Sequence, residues 1–352
     1  MGASLQAGFF APGQCRRINL SRKRLIYLVV GLLLGLLLIW LWLRSIDPRQ
    51  VILNIRSVKP DLVVWASIIY LSAYAVRSWR WNLLLRKQVK IPVGKTFLYS
   101  MGGNWVNYLI PIRAGEVVKA WFIKNNHGIP IFKTLPSIFI DKTFDTLGIL
   151  FVLLLLPLLK IHVSPALAVL LILLGLFFLA SMAILLLSVW HKDKVAKLLH
   201  ALFSWLPQRF QTKIDRHIEV FVQGLNVFEQ HWSHLLFAVL LTALGVTLDG
   251  FYFFLLFQAF GVELNFLKVL FGYTLINLSY ALPQPPAQLG SNEWMMIIIF
   301  SVGFALTKDS ASAIMAFAHV LTSVLIGITG LGAILGYGGQ ALKVMIHGDK
   351  DI

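Results

Sequence analysis

The chain has little charge and almost no cysteine. Of its 352 residues, 13% are charged and 58% are hydrophobic, and the mean hydropathy is +0.78. This balance excludes an ordinary soluble domain and predicts an all-α polytopic membrane protein. The single cysteine, Cys15, excludes a framework of disulfide bonds within the chain.

The short motifs of several enzyme classes are also absent. The sequence contains no Gly-rich nucleotide loop, nucleophile elbow or zinc-protease motif, which argues against direct use of ATP. His231 and His234 have no third ligand nearby in the sequence. We therefore predict no metal and no cofactor, and a transporter rather than an enzyme.

Acidic residues are scarce, with 15 Asp and Glu against 31 Lys and Arg, a net charge of +16. The basic residues cluster at the ends of apolar segments, which favours the positive-inside pattern and contact with lipid headgroups over nucleic acid. The basic stretch Arg16–Arg24 precedes the first apolar run without a clear cleavage site, so it predicts a retained anchor with a cytoplasmic N-terminus. The linker Arg44–Pro60 is basic too, and it opposes this orientation.

Apolar length predicts about six full transmembrane helices in one domain, residues 25–338. A basic N-terminus (1–24) precedes this domain, and a short cytoplasmic tail (339–352) follows it. A polar stretch, 191–232, has apolar residues at helical spacing and predicts amphipathic helices on the cytoplasmic surface. The six predicted spans are about Leu25–Leu43, Asp61–Leu85, Leu135–Leu158, Pro165–Trp190, Leu235–Phe260 and Ser310–Gly338.

Two further apolar segments are short and interrupted by Pro and Gly. One is Thr96–Ile110 followed by Glu116–Ile123, and the other is Leu264–Leu282 followed by Asn292–Leu306. Segments of this kind predict two re-entrant helical hairpins, although ordinary tilted helices remain the alternative. Charge counting gives the two units, about 61–158 and 235–338, opposite orientations, so the sequence predicts an inverted repeat.

Ionisable residues inside the predicted spans are costly unless they are paired or hydrated. Arg77 and Arg80 lie one helical turn apart, and either snorkelling or function explains them. Asp141 and Asp145 share a helix face beside Lys142, which favours a buried network of ion pairs. Asp249 and His319 are lone polar residues that a neighbouring helix satisfies or that carry a proton.

The hairpin turns supply the candidate binding residues. A guanidinium at the first turn, that of Arg113, suits bidentate contact with a phosphate, while Glu116 suits the start of a helix. The second turn has no cation and ends in Glu293. The substrate-binding residues we predict are Arg113, Glu116, Asn107, Asn104, Lys119, Arg77, Arg80, Asn277, Gln284 and Glu293.

Three motifs carry a family resemblance: Asn107-x₃-Pro-x-Arg-x-Gly-Glu-x₂-Lys119, Asp141-Lys-x₂-Asp145 and Pro283-x₂-Pro-x₃-Gly-x₂-Glu293. Together they resemble the flippase-like family named after the transmembrane half of lysyl-phosphatidylglycerol synthase. The order and spacing agree over about residues 60–340. This chain departs from the family at Ala287-Gln288-Leu289, where small Gly residues are usual, and this leaves the shape of the second turn open.

The resemblance implies translocation of an anionic phospholipid or lipid-linked glycan headgroup across a bacterial inner membrane, in envelope biogenesis. The headgroup phosphate would meet Arg113, and the carboxylates would balance charge or couple to protons. The expected partners are that lipid, a second copy of the chain or an envelope synthase. A membrane-embedded transferase acting on polyprenyl-linked sugars is one alternative, and a non-transporting scaffold of an envelope synthase complex is another.

Overall fold

A computed structural model describes residues 22–110, 114–153, 176, 232–280 and 284–338. Apart from Leu176, the fourth predicted span and the amphipathic stretch 191–231 lie outside these ranges, as does the tail 339–352. Within the described ranges, every regular element is a helix. The all-helical prediction is therefore confirmed for this part of the chain.

The helices follow the apolar segments of the sequence closely. A 3₁₀ turn, Pro286–Gln288, precedes the helix Ser291–Met296, and a π-helical stretch, Ile297–Val302, continues that helix. The α-helices are α1 (Arg22–Ser45), α2 (Pro48–Arg56), α3 (Pro60–Leu85), α4 (Val93–Leu109), α5 (Gly115–His127), α6 (Ile131–Leu153), α7 (Trp232–Ala259), α8 (Phe266–Ser279), α9 (Ser291–Met296) and α10 (Lys308–Tyr337).

Three described helices are long and apolar enough to cross a membrane: Pro60–Leu85, Ser233–Ala259 and Lys308–Tyr337. A fourth candidate is the pair Val30–Ser45 and Pro48–Arg56, which is bent by 88°. The helix α6 has 23 residues but carries three charged residues near its middle. The chain is thus an integral membrane protein, and three or four spans follow from length and composition in the described residues.

The two interrupted segments form helices shorter than a membrane is thick. In the first, 17 residues of α4 and 13 of α5 correspond to lengths of about 26 and 20 Å. In the second, the 14 residues of α8 correspond to about 21 Å. A bilayer hydrocarbon core is about 30 Å thick, so none of these helices crosses it alone at full length. We call α4–α5 the first hairpin and α8–α9 the second.

The second hairpin begins and ends at the same end of the bundle as α2. We call this end the α2 face. The Lys59 backbone N–H donates to the Ala259 carbonyl oxygen at 3.1 Å, so α3 begins where α7 ends. Phe266, the first residue of α8, packs against Phe254 with ring centroids 5.8 Å apart. The π-helical stretch after α9 ends at Val302, just before α10 begins at Lys308.

The first hairpin opens toward the opposite face. The Asn82 side-chain amide donates to the Ile91 carbonyl oxygen at 2.7 Å, so α4 begins beside the end of α3. Near the end of α5, the Asn126 amide contacts the carbonyl oxygen of Tyr337, the last residue of α10, at 3.4 Å. Because α10 begins at the α2 face and ends here, the two hairpins enter the bundle from opposite ends.

The packing of the helices also relates the two halves. The helix α3 packs against α7, while α4 packs against α10 and α8 packs against α6. Within the halves, α4 contacts α5 as α8 contacts α9, and α5 contacts α6 as α9 contacts α10. If α3, α4, α5 and α6 are exchanged with α7, α8, α9 and α10 in that order, the same pairs of helices remain neighbours. A pseudo-two-fold relation between repeats requires this property.

Candidate functional site

Among the described residues, two polar clusters lie inside the helical bundle, and the larger one is a network of ion pairs. It joins α3, α5, α6 and α7 and balances four cations against four carboxylates. This arrangement meets the requirement that buried charges be paired. The charge network consists of Arg77, Arg80, Glu116, Lys119, Asp141, Lys142, Asp145 and Asp249.

Arg80 is the centre of the charge network. Its Nε donates to Asp141 Oδ1 at 2.8 Å, and one terminal nitrogen donates to Asp145 Oδ1 at 2.5 Å. The other terminal nitrogen donates to the Thr242 hydroxyl at 2.9 Å, which ties α3 to α7. The carboxylates of Asp141 and Asp145, four residues apart on α6, face one guanidinium because helical spacing places them on one side.

Arg77, one turn earlier on α3, pairs with the neighbouring helix α7. Its two terminal nitrogens donate to the two carboxylate oxygens of Asp249, one of them at 3.0 Å to Oδ1. This is the fork-to-fork geometry in which arginine binds a carboxylate most strongly. Asp249, isolated in the sequence, is thereby satisfied by α3.

The network reaches the first hairpin through Glu116. Lys119, one turn along α5, lies 3.2 Å from Glu116 Oε2, and Lys142 of α6 lies 3.3 Å from Oε1. Lys142 also lies 3.4 Å from Asp145. Asn107 Oδ1 accepts a hydrogen bond from the Gly115 N–H at 2.7 Å, so an α4 side chain caps the start of α5.

Accessibility differs strongly along the network. The Arg80 side chain is 1% exposed, whereas Lys142 is 43% exposed. Arg77 and Asp145 are intermediate, at 25% and 29%. The network therefore has a buried end, at Arg80, that holds helices together and an open end, at Lys142, the most exposed of its four cations.

A close approach of two backbones positions Glu116 and Lys119. A Cβ atom on Gly115 would lie 1.9 Å from the Gly103 carbonyl oxygen, and one on Gly103 would lie 2.7 Å from the Gly115 carbonyl oxygen. Only glycine permits such contact between helices, because it has no side chain. The tight crossing of α4 and α5 holds the start of α5 against Asn107.

The second cluster, which we call the junction, is centred on His319 of α10. His319 Nδ1 lies 2.6 Å from Glu293 Oε1, and Nε2 lies 2.8 Å from the Ala287 carbonyl oxygen and 2.9 Å from the Tyr108 hydroxyl. The Tyr108 hydroxyl lies 2.5 Å from Ser323 Oγ, which donates to the His319 carbonyl oxygen at 2.6 Å.

The hydrogen bonds at the junction determine where its protons are. A carbonyl oxygen only accepts, so Nε2 carries a hydrogen toward Ala287. One further proton lies between Nδ1 and Glu293, because a bare nitrogen and a bare carboxylate would repel each other. The pair is therefore net neutral whichever of the two groups holds that proton.

The junction also links the two hairpins. Tyr108 is the penultimate residue of α4, and Ala287 lies in the turn of the second hairpin. Both contact the same imidazole nitrogen, eleven residues after the start of α10. Lys142 likewise lies eleven residues after the start of α6. Lys142 pairs with Glu116 at the start of α5, as His319 pairs with Glu293 near the start of α9.

Helix α1 packs on the turn of the second hairpin. A Cβ atom on Gly31 would lie 3.3 Å from Pro286, and one on Gly35 would lie 3.1 Å from Pro285. The Trp294 indole N–H donates to the Leu38 carbonyl oxygen at 3.0 Å. The small residues of α1 thus serve helix packing, as small residues at such spacing often do in membranes.

The turn itself contains the departure from the family pattern. Ala287 has φ of 53° and Gln288 has φ of 57°, both in the left-handed region that glycine favours. Two residues that carry side chains therefore hold a strained backbone conformation in this turn, and the carbonyl oxygen that reaches His319 belongs to one of them.

Replacing Ala287 by Gly is expected to raise stability by about 1 kcal/mol, because it removes the left-handed strain and leaves the carbonyl oxygen in place. The matched control is Ala243→Gly, at an exposed position inside α7, which relieves no left-handed strain and is expected to destabilise the protein by about 1 kcal/mol. Thermal unfolding in detergent compares the two. A lower midpoint for Ala287→Gly would contradict this account of the turn.

Three of the remaining predicted residues are among those described, and they lie elsewhere on the two hairpins. Asn104 is one turn before Asn107 on α4, and Asn277 is in the last turn of α8; both are half-buried. The Gln284 amide donates to the Ser279 carbonyl oxygen at 2.7 Å. Arg113 lies outside the described residues, between Ile110 and Ala114.

Sequence reasoning missed three side chains of the site: Thr242, Tyr108 and Ser323. Thr242 lies seven residues before Asp249, and Ser323 lies four residues after His319, so each shares a helix face with a predicted site residue. Tyr108 adjoins Asn107. In the described part of the chain, no three His, Cys, Asp or Glu side chains form a group that could hold a metal ion.

Comparison with known proteins places the chain among membrane proteins. The sequence model of the family described as "Lysylphosphatidylglycerol synthase TM region" matches residues 28–330. A "UPF0104 membrane protein" of Methanothermobacter thermautotrophicus is 27% identical over 91% of this chain and 95% of its own length. A second protein of that name and organism is 23% identical over 93% of this chain and 99% of its own length.

A third relative matches only in part. The "Glycosyltransferase AglD" of Haloferax volcanii is 31% identical over 131 residues, which are 36% of this chain and 20% of that protein. No solved structure gives a significant match.

Proposed function

The chain belongs to the lysylphosphatidylglycerol synthase TM region family, and on this basis we propose that it moves a lipid headgroup across the membrane. The cargo is an anionic phospholipid or a lipid-linked glycan, and the membrane is the inner (plasma) membrane. Both termini are cytoplasmic, and the fold has six full spans with two re-entrant hairpins in an inverted repeat. The partial similarity to a protein named as a glycosyltransferase supports keeping a glycan among the cargoes.

One observation carries this proposal: two short hairpins enter from opposite ends, and both contact His319 in the middle of a 30-residue helix. Broken helices that meet near the membrane midplane are the usual construction of a transporter's substrate site. A non-transporting scaffold has no need of a balanced network of buried charges, since buried ion pairs seldom stabilise a fold on balance.

In this mechanism the headgroup phosphate meets Arg113 and the open end of the charge network. Lys142 is the most exposed cation of that network, and it exchanges Glu116 or Asp145 for the phosphate. The buried residues Arg80 and Lys119 hold the helices and the glutamate in place. The acyl chains stay in lipid, so only the polar part of the cargo needs this path.

The Glu293–His319 pair supplies the proton coupling in this proposal. It is net neutral and holds one proton that either group can carry, which makes it suited to release and capture during a cycle. Asp249, bound by Arg77, is the second coupling candidate. A gradient-driven mechanism agrees with the lack of a nucleotide motif in the sequence.

The test is headgroup flipping in proteoliposomes, measured with a fluorescent phosphatidylglycerol whose outer-leaflet copies are bleached chemically. Arg113→Ala and Glu293→Gln are each expected to lower the flipping rate at least tenfold, since each removes a charge-assisted bond at the path. The control, Arg86→Ala, removes an exposed cation outside the clusters and is expected to flip at the wild-type rate.

Equal rates for Arg113→Ala and wild type would remove Arg113 from the site. No flipping of phosphatidylglycerol or of a lipid-linked glycan by the folded wild-type protein would overturn transport itself. Conversion of a labelled lipid-linked sugar by the same preparation would favour a transferase. Full complementation by both variants in cells would favour a scaffold.

A further inference from the structure

We propose that the exposed side of α2 binds the phosphate groups of anionic phospholipids at the membrane surface. The helix has nine residues, Pro48–Arg56, and follows the end of α1 after a bend of 88°. The segments Val30–Ser45 and Pro48–Arg56 reach the length of a span only when taken together, and the bend of 88° means that they are not one straight helix. With α1 along the membrane normal, α2 therefore lies along the membrane plane. This surface is separate from both polar clusters, and the inference is independent of transport.

One side of α2 is occupied by the protein. Val51 is buried there, Ile55 is half-buried, and the helix packs against α10. The other side carries Ile52 and Leu53, which are 51% and 57% exposed. Two large apolar side chains on the free side of a surface helix are typical of helices that lie in the interfacial region of a bilayer.

Two arginines flank these apolar residues on the same side. Arg49 and Arg56 are both exposed and lie seven residues apart, which is two helical turns and about 10 Å. Guanidinium groups bind phosphate oxygens in a fork, so each arginine suits one headgroup. Beside them, Arg44 stacks over the Trp40 ring at 4.2 Å, an arrangement that suits the membrane interface.

Two of the acidic groups near α2 accept hydrogen bonds from backbone N–H groups. Asp47 caps the helix by accepting from the Arg49 N–H at 2.9 Å, and Asp309 accepts from the Asp47 N–H at 3.0 Å. Asp61 lies in the first turn of α3. No residue of α2 is acidic, and its free side presents two arginines, two large apolar side chains and the neutral amide of Gln50. This composition complements an anionic lipid surface.

The experiment uses the full chain in lipid nanodiscs with one fluorescent reporter beside α2. Ser57→Cys, in a Cys15→Ser background, carries an environment-sensitive fluorophore at the exposed residue after the helix. Brominated phosphatidylglycerol or brominated phosphatidylcholine is included at about 30 mol % as quencher. Enrichment of the anionic lipid is expected to make its quenching about two- to threefold stronger.

The double variant R49Q/R56Q is expected to reduce phosphatidylglycerol quenching to the phosphatidylcholine level. The matched control R86Q/K90Q removes two exposed cations at the end of α3, on the opposite face, and is expected to leave the excess unchanged. Equal quenching by the two lipids in the labelled protein with both arginines present would overturn the proposal. It would favour a protein partner for the free side of α2. An excess that persists in R49Q/R56Q, with an unfolding midpoint equal to that of the control, would also overturn it.

Discussion

Gly115→Ala is expected to disrupt the first hairpin more than a methyl group added at any other described glycine. The new Cβ would lie 1.9 Å from the Gly103 carbonyl oxygen and 2.6 Å from the Asn107 side chain. A backbone oxygen cannot rotate away as a side chain can, so α4 and α5 must separate. We expect a loss of about 3 kcal/mol or more in stability, at the upper end of overpacking effects.

The functional loss is expected to be larger than the loss of stability alone predicts. Separating the helices breaks the cap between Asn107 Oδ1 and the Gly115 N–H and moves Glu116 away from Lys142. Thermal unfolding in detergent and headgroup flipping in proteoliposomes measure the two effects. The matched control is Gly94→Ala, in the first turn of α4, where an added Cβ meets nothing within 4 Å. If both variants unfold at the same temperature, the close crossing is not what holds this hairpin.

Arg80→Met is expected to cost about 3–5 kcal/mol, which is enough to prevent accumulation of folded protein. Methionine retains much of the packing volume but leaves Asp141 without its guanidinium partner, because Arg80 supplies the Nε bond at 2.8 Å. It also removes the bond to Thr242 that joins α3 to α7. The measurement is the fraction of folded protein recovered and its unfolding midpoint.

A second variant separates charge imbalance from simple loss of packing. Arg80→Met combined with Asp141→Asn restores the balance of the network, since Asp145 keeps contacts with Lys142 and Arg77. We expect the double variant to regain about half of the lost stability. Arg86→Met, at an exposed position, serves as the control and is expected to behave as wild type. No recovery in the double variant would mean that packing and the Thr242 bond, rather than unpaired charge, determine the loss.

Much of the fold follows from apolar length and helical spacing. The second predicted span, Asp61–Leu85, differs by one residue from α3, and the fifth and sixth predicted spans agree with α7 and α10 within three residues. Both interruptions were located because Pro, Gly and Asn are unusual inside apolar helices. The sequence predicts only a basic linker before α3, and α2 was missed because nine residues with two arginines give too short an apolar pattern.

The partners within the site could not be predicted in the same way. Spacing placed Asp141 and Asp145 on one face, and it placed Arg77 beside Arg80. It gave no information on which neighbouring helix each of them meets. Asp249 and His319 each stand alone along the chain, and their partners lie 172 and 26 residues away. Such pairings depend on how helices cross, and a single sequence does not record the crossing.

The His319 imidazole offers a single Nε2 hydrogen to two acceptors, one from each hairpin. Its Nε2 hydrogen is divided between the Tyr108 hydroxyl of one hairpin and the Ala287 carbonyl oxygen of the other. If one hairpin moves away, the Nε2 hydrogen forms its bond with the other hairpin alone, and that remaining hydrogen bond becomes stronger. A chain built in this way favours moving one hairpin at a time, because the departure of the first holds the second.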